Sequence, residues 1–223
     1  MKRVIFLHTL ISVANEFSEL AQRLLPPDVQ SWHIADEMLA RLVVEQGELS
    51  PFLYRRVADH VFAAEQAGAS FIQFTCSSIS PCAEVAGRLA HIPVLKAELA
   101  LVQRGLELGS RLAVVATAPT ALRPTRDLVV EEAERRRQRV SVEAVLCTGA
   151  YDAMLRGDLQ AHDSSVLETL RTLSSRSDAV LLAQASLARV ASTLSVEDQH
   201  APILSIPPLA MARLAALLKE SSE

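Results

Sequence analysis

The sequence predicts an α/β fold with parallel sheets, and two observations point to it. Short apolar segments alternate with longer segments of helical periodicity, which is the pattern of strands joined by helical crossovers. The same pattern starts again at Arg111, halfway along the chain. We therefore predict two lobes, residues 1–108 and 109–204, with residues 205–223 returning as a helix to the first lobe.

The first lobe contains four segments with the composition of buried strands. Pro26 ends its first helix, and Ser50-Pro51 supplies a helix N-cap followed by a first-turn proline. The predicted strands are 4–7, 31–34, 71–74 and 93–95, and the predicted helices are 15–25, 36–44, 51–67, 82–89 and 99–108.

The second lobe follows the same alternation of strands and helices. A charged amphipathic helix is predicted from Thr125, directly after Pro124. The predicted strands are 112–116, 140–146, 179–182 and 202–204, and the predicted helices are 125–139, 164–173 and, in the returning segment, 209–218.

Four short segments of the first lobe recur in the second in the same order. Residues 71–80 correspond to residues 179–188, about 108 positions later (184 − 76). The other pairs are 4–9 with 112–117, 91–95 with 200–204, and 35–39 with 151–155. The duplication predicts two Rossmann-like or flavodoxin-like lobes related by a pseudo-twofold axis, with the active site in the cleft between them.

Composition limits the functions to consider. The chain has 223 residues, half of them hydrophobic, and a net charge of −4, and its one basic triplet, residues 135–137, has the spacing of a solvated helix face. No apolar stretch reaches the roughly 20 residues that span a bilayer. Three cysteines without disulfide or zinc-ligand spacing indicate reduced thiols in a cytoplasmic protein. We expect no nucleic-acid partner, no membrane partner and no metal.

The segment FIQFTCSSISP, residues 71–81, is the main candidate for a functional site. It places a thiol, Cys76, and several hydroxyls where a buried strand turns into a helix, which is where parallel sheets bind ligands. A thiol beside the backbone N–H groups of a helix start can work as a base or nucleophile. The alternative is that Cys76 is a small buried hydrophobic residue and that the serines cap a helix.

The duplication favours the functional interpretation of Cys76. It predicts that Cys76 looks across the cleft toward Gln184, the residue at the matching strand end. Polar residues also follow the first strand of each lobe, His8 and Thr9 in the first lobe and Thr117 and Thr120 in the second. These four residues are predicted to line the same cleft.

These residues resemble the motifs of the aspartate/glutamate racemase superfamily, which includes hydantoin racemases, maleate isomerases and arylmalonate decarboxylases. Its first-lobe motif, C-N-T-x-S, is similar to residues 76–80, CSSIS, with serines in place of Asn and Thr. Its T-x-x-T-like element is similar to residues 117–120, TAPT. An aspartate-serine pair after the family's first strand is replaced here by His8-Thr9. The resemblance extends over nearly the whole chain.

The sequence departs from the family's racemases in the second lobe. Those racemases carry Gly-Cys-Thr there, with a second catalytic cysteine, whereas this chain reads AQAS over residues 183–186. Either Gln184 or Ala185 stands in place of that cysteine. Cys147-Thr148-Gly149 follows a different strand, so we interpret Cys147 as structural, and Cys82 as a buried helix residue.

The resemblance implies a cofactor-independent enzyme that acts at the carbon next to a carboxylate, with Cys76 as acid, base or nucleophile. A symmetric two-thiol racemisation is disfavoured, because it needs an acid or base on each face of the carbon. Three reactions stay open: racemisation with another partner such as His8, decarboxylation of a malonate-like acid, and cis–trans isomerisation of a maleate-like acid. His8 is predicted to be catalytic by setting the protonation state of Cys76. The alternative, equally compatible with the sequence, is that His8 is a core histidine that hydrogen-bonds to the backbone.

The substrate carboxylate and an enediolate intermediate need hydrogen-bond donors. The predicted donors, together with the cleft residues named above, are Ser77, Ser78, Gln184 and Ser186. A competing hypothesis is a degenerate, non-catalytic protein that binds a small carboxylate. No cofactor is expected, and a homodimer is a reasonable expectation because symmetric pairs are common.

Overall fold

The computed structural model of the chain describes residues 2–220, and the chain divides into two units. Unit 1 comprises Met1–Ala97 and Pro207–Glu223, and unit 2 comprises Glu98–Ile206. The first boundary therefore lies at the start of the helix 97–108, directly after Ala97, whereas the sequence predicts a boundary after that helix. The helix joins unit 2 because Gly105 packs closely against Leu181 and because the Gln138 side chain donates a hydrogen bond to the Leu106 carbonyl.

Unit 1 is built around a four-stranded parallel sheet with the strand order β2-β1-β3-β4. Its elements, in chain order, are β1 (Lys2–His8), α1 (Ile11–Leu24), β2 (Val29–Ala35), α2 (Glu37–Gln46), α3 (Pro51–Gln66), β3 (Phe71–Phe74), a 3₁₀ turn (Ser77–Ile79), α4 (Ser80–Gly87) and β4 (Val94–Lys96).

Unit 2 has the equivalent parallel sheet, with the order β6-β5-β7-β8. Its elements are α5 (Ala97–Leu108), β5 (Arg111–Ala116), α6 (Pro119–Arg135), β6 (Ser141–Leu146), α7 (Ala150–Leu155), α8 (Leu159–Ser174), β7 (Ala179–Leu182), a 3₁₀ turn (Ala185–Leu187), α9 (Ala188–Ala191), a second 3₁₀ turn (Val196–Asp198) and β8 (Ile203–Leu204); α10 (Ile206–Glu220) then returns to unit 1.

The strand register repeats between the two units. Val4 pairs with Phe71 in unit 1, and Leu112 pairs with Ala179 in unit 2. Each residue of the second pair lies 108 positions after its counterpart in the first pair (112 − 4 and 179 − 71). The prediction of two similar α/β units with parallel sheets is confirmed. In this strand order the chain leaves neighbouring strands β1 and β3 toward opposite faces of the sheet, so their carboxyl ends form the switch point at which such sheets bind ligands. The ends of β5 and β7 form the same point in unit 2.

The helix α6 begins six residues earlier than the sequence predicts. The predicted helix starts at Thr125, whereas the observed helix begins at Pro119, a favoured first-turn position, and contains Pro124. Proline removes only one backbone N–H donor from the hydrogen bonds of the helix. The buried residues on either side of it, Ala121 and Thr125, hold the helix against the unit 2 core. The short helix α7 was not predicted.

In each unit an apolar cluster lies between one face of the sheet and the helices that cover it. In unit 1 the cluster joins alternate strand residues such as Leu7 and Phe74 to residues of α2, α3 and α4, including Leu39 and Leu53. Cys76 packs against the edge of this cluster. Because side chains alternate along a strand, Thr75 faces the opposite side of the sheet. No helix within residues 2–220 is long and apolar enough to cross a membrane.

Two glycines give opposite expectations for substitution by alanine. A Cβ at Gly109 would overlap the side chain of Asp178, whose carboxylate accepts hydrogen bonds from the backbone of Ser110 and Arg111. Gly109→Ala is expected to lower the free energy of unfolding by about 1–3 kcal/mol, because either the backbone or Asp178 must move.

Gly87→Ala is the matched control, measured by urea denaturation beside Gly109→Ala. A Cβ at Gly87 would meet Val94 at 3.6 Å, which is ordinary contact. We expect this variant to be neutral or to gain up to about 1 kcal/mol, since alanine reduces the entropy of the unfolded chain. Equal losses in the two variants would contradict the close approach at Gly109.

Candidate active site

Cys76 lies two residues past β3, at the switch point of unit 1. Its backbone is extended, with φ −126° and ψ 118°, and the chain then turns through the 3₁₀ turn into α4. The Cys76 carbonyl accepts hydrogen bonds from the Ile79 amide and the Ser80 hydroxyl, at 3.3 and 3.4 Å. These bonds close a tight turn that presents the Cys76 side chain at the carboxyl edge of the sheet.

Cys76 differs from the other two thiols in its exposure. Cys76 is partly exposed, whereas Cys82 and Cys147 are buried. Burial raises the pKa of Cys82 to about 12, and burial also raises the pKa of Cys147, although Cys147 hydrogen-bonds to Thr169. Both buried thiols therefore stay protonated near neutral pH, which agrees with their interpretation as structural residues.

Gln184 occupies in unit 2 the position that Cys76 occupies in unit 1. It lies two residues past β7, with φ −125° and ψ 130°, and a 3₁₀ turn followed by a helix comes after it, as after Cys76. Its matching backbone angles and the common strand register identify Gln184, rather than Ala185, as the counterpart of Cys76.

The Gln184 side chain is held by the end of β5. Its Oε1 accepts hydrogen bonds from the Thr117 amide at 2.6 Å, the Thr117 hydroxyl at 3.1 Å and the Ala118 amide at 3.3 Å. Backbone amides can only donate, so the atom beside them must be the carbonyl oxygen of the carboxamide. The Nε2 group is therefore oriented away from these three contacts as a donor on a partly exposed side chain.

His8, the last residue of β1, is fully buried and is held in a chain of hydrogen bonds. Its Nδ1 lies 2.9 Å from the Thr75 hydroxyl, and its Nε2 lies 2.9 Å from Nδ1 of His33 on β2. Phe6 stacks against both imidazole rings, and Phe17 packs edge-on against His8. Burial, followed by the nearby His33, lowers the pKa of His8 to about 3, and burial also lowers the pKa of His33.

This environment changes the role that the sequence predicts for His8. At neutral pH the ring carries no charge, so it does not stabilise a thiolate as an imidazolium would. Both ring nitrogens already have protein partners, and none of the residue is exposed to a substrate. We therefore treat His8 as a candidate positioning residue rather than as an acid or base.

The other predicted site residues follow the same strand ends. Thr9 and Thr117 come directly after β1 and β5 and are almost fully buried. Ser77 and Ser78 are buried in the turn after Cys76, whereas Thr120 in the first turn of α6 and Ser186 in the turn after Gln184 are partly exposed. Hydrogen bonds join Thr117 to Gln184, as described above.

Three features of the site were not predicted from the sequence: Thr75, His33 and a charged group at the end of β2. There the buried Asp36 carboxylate accepts hydrogen bonds from Arg56 Nε at 2.5 Å and His60 Nε2 at 2.7 Å. Burial alone would raise the pKa of Asp36, but the bonds from Arg56 and His60 bring it below its ordinary value. The pairing of Thr75 with His8 follows from the β1–β3 register, which the sequence does not display, whereas no sequence signal identifies His33 or this group.

The family follows from the sequence itself. The profile of the Asp/Glu/hydantoin racemase family matches residues 9–216, nearly the whole chain. The chain belongs to this family. A search of curated protein sequences found no match.

Solved structures of similar fold include racemases and a decarboxylase. Glutamate racemase from Francisella tularensis in complex with D-glutamate has a TM-score of 0.75 at 14% identity, over 99% of this chain and 82% of that chain. Allantoin racemase from Klebsiella pneumoniae has a TM-score of 0.71 at 14% identity, over 99% and 89%. A liganded mutant of arylmalonate decarboxylase has a TM-score of 0.54 at 16% identity, over 96% and 93%. At such identities these likenesses show the shared fold.

The depressed pKa of His8 predicts acid sensitivity. Unfolding releases His8 to a pKa near 6.5, so below that pH the unfolded chain binds a proton that the folded protein does not. Stability should therefore be complete above pH 6.5 and fall as the pH drops toward 3, by up to about 1.4 kcal/mol per pH unit.

The test compares urea unfolding at pH 7 and pH 5 for the wild type, His8→Gln and Thr125→Val. His8→Gln should flatten the dependence without abolishing it, because His33 remains. Thr125, a fully buried residue without a titratable group, serves as the control and should leave the slope unchanged. An unaltered slope in His8→Gln would show that His8 is charged in the folded state.

Proposed function

We propose that this protein is a cofactor-independent enzyme that moves a proton, or carries out related chemistry, at the carbon next to a carboxylate, with Cys76 as the acid, base or nucleophile. The observation that carries the proposal is the location of Cys76. In a chain of the racemase family, it is the partly exposed thiol at the switch-point strand end, while Cys82 and Cys147 are buried with raised pKa values.

Gln184 supports a one-sided reaction within this proposal. Racemisation by two thiols requires a proton donor or acceptor at both strand ends, and a carboxamide does neither near neutral pH. A neutral donor suits another task, which is to bind the substrate carboxylate or an enediolate oxygen. Protonation of one face after loss of CO₂, or addition of the thiol to an activated double bond, needs only the one thiol.

The substrate in this proposal is a small 2-substituted carboxylic acid, a malonate or a maleate-like acid. The hydroxyls of Thr9, Ser77, Ser78, Thr117, Thr120 and Ser186 are the further proposed donors. Their concentration at the strand ends would offset the cost of removing water from a carboxylate.

The first test follows these acids in D₂O by NMR for the wild type and Cys76→Ala. We expect α-proton exchange, CO₂ loss or cis–trans isomerisation with at least one acid, and a fall of at least about a hundredfold in Cys76→Ala, the scale of acid–base catalysis. The product identifies the reaction among the three.

Cys82→Ala is the matched control, since it removes a thiol that the buried cluster holds away from solvent. It should keep the turnover of the wild type. Turnover that survives in Cys76→Ala would exclude the proposed role of the thiol. Ligand-induced stabilisation by one of these acids without turnover would favour a non-catalytic carboxylate-binding protein.

Gln184→Glu tests the donor role of the carboxamide separately. The carboxylate can accept the same hydrogen bonds from Thr117 and Ala118, so the melting temperature should not fall. It replaces the Nε2 donor with a negative oxygen, and KM for an anionic substrate should rise by about tenfold or more.

The control for Gln184→Glu is Gln199→Glu, which makes the same change at an exposed position just after the 3₁₀ turn Val196–Asp198. It should leave both KM and the melting temperature unaltered. An unchanged KM in Gln184→Glu at full stability would remove Gln184 from the proposed substrate contacts.

A further inference from the structure

The two units secure their equivalent strand ends in different ways. In unit 2 the residue at the Cys76 position, Gln184, is itself bonded to the end of β5. The backbone bond of the preceding residue is common to both units, from the Thr75 amide to the Leu7 carbonyl at 3.1 Å and from the Ala183 amide to the Val115 carbonyl at 2.9 Å. In unit 1 the side-chain bonds are made by Thr75, whose hydroxyl lies 3.1 Å from the Leu7 carbonyl. The unit 2 counterparts of His8 and Thr75 are Ala116 and Ala183, whose side chains have no polar atom.

The direction of the hydrogen bonds in unit 1 follows from counting protons. The Thr75 hydroxyl has one proton, which it gives either to the Leu7 carbonyl or to His8 Nδ1. Within residues 2–220, Nε2 of His33 is buried without a hydrogen-bond partner. If Thr75 donated to His8 Nδ1, the proton of the His8 ring would lie on Nε2 and be donated to His33 Nδ1. The proton of the His33 ring would then lie on Nε2, where it has no partner, and a buried unpaired N–H is costly.

The opposite order places every ring proton in a hydrogen bond. His33 Nδ1–H donates to His8 Nε2, His8 Nδ1–H donates to the Thr75 hydroxyl, and Thr75 donates to the Leu7 carbonyl. Only a lone pair of His33 is then left without a partner. The chain of bonds runs from β2 through β1 to the residue before Cys76.

The location of these hydrogen bonds relative to the Cys76 thiol indicates what they do. Thr75 faces the aromatic side of the sheet with His8, whereas Cys76 packs against the apolar cluster on the other side. The side-chain bonds thus add to the backbone bond between Thr75 and Leu7 and stop at the residue that precedes Cys76. They restrain the backbone of Cys76 without taking up its thiol.

We propose that the His8–Thr75 hydrogen bond positions Cys76 at the turn into α4, and that His8 and Thr75 are positioning residues. This inference rests on the proposed function of Cys76. In this unit a buried pair behind the sheet restrains the residue before Cys76, whereas in unit 2 the Gln184 side chain is bonded directly to the end of β5. A reactive thiol needs such a support, because a restraint through its own sulfur would compete with chemistry.

The experiment measures alkylation of Cys76 by iodoacetamide as a function of pH, with mass spectrometry of the Cys76 peptide. Thr75→Val removes the hydroxyl at nearly constant shape, and Thr75→Ser keeps the hydroxyl. We expect the alkylation rate constant to fall about three- to tenfold in Thr75→Val, with a displaced pH profile, and to stay within about twofold in Thr75→Ser.

Two further variants separate positioning from general loss of stability. Thr125→Val removes a fully buried hydroxyl in unit 2 that bonds only within α6, and it should leave Cys76 alkylation unchanged. His8→Phe keeps a planar ring and loses the donor, so it should reproduce the effect of Thr75→Val. Because both changes remove the same His8–Thr75 hydrogen bond, on which the positioning of Cys76 is proposed to depend, the double variant should react no more slowly than either single variant.

A wild-type rate and pH profile in both Thr75→Val and His8→Phe would overturn the proposal, as would an equal loss in Thr75→Ser. Either result is independent of the proposed function. That function fails instead if Cys76→Ala retains turnover, whatever the alkylation rates of the Thr75 variants are.

Discussion

The parallel pairing of the first and third strands in each unit is the constraint on which the candidate site depends. Because the chain leaves these neighbouring strands toward opposite faces, their carboxyl ends stay open, and side chains that follow them can reach a ligand. In unit 1 this pairing brings Thr9, Thr75 and Cys76 to one edge, and in unit 2 it brings Thr117 and Gln184 together. Buried strand residues such as Phe74 and Leu182 fix the register, since a slip of one residue would turn each of them to the wrong face.

Within this common framework the two units have diverged at equivalent positions. Unit 1 carries a thiol supported by a buried His–Thr pair, and unit 2 carries a carboxamide whose oxygen is bonded to the neighbouring strand end. A carboxamide cannot exchange a proton near neutral pH, so the divergence separates proton transfer from substrate binding in the proposed reaction. The buried imidazole of His8 is neutral because its burial disfavours the charged form, which suits a structural hydrogen bond better than catalysis of proton transfer.

Much of the fold could be predicted because local and global signals agree. The strand Phe71–Phe74 was predicted with its observed bounds, since an apolar run between Gly68 and a cluster of hydroxyls permits few alternatives. Helix starts were less accurate, as at α6, because tertiary burial of Ala121 and Thr125 outweighs the proline between them. The internal repeat was visible in the sequence, and it located Cys76 and its counterpart to within one residue.

The sequence by itself determined the two α/β units, the family resemblance and the thiol at the strand end, because each depends on periodicity or on residues close together in the chain. Only the tertiary structure decided that Gln184 is the counterpart of Cys76, that His8 is buried and uncharged, and that Thr75 and His33 belong with it. Those facts depend on strand register and on desolvation, which arise when residues such as His8, His33 and Thr75, separated by 25 and 67 positions, pack together.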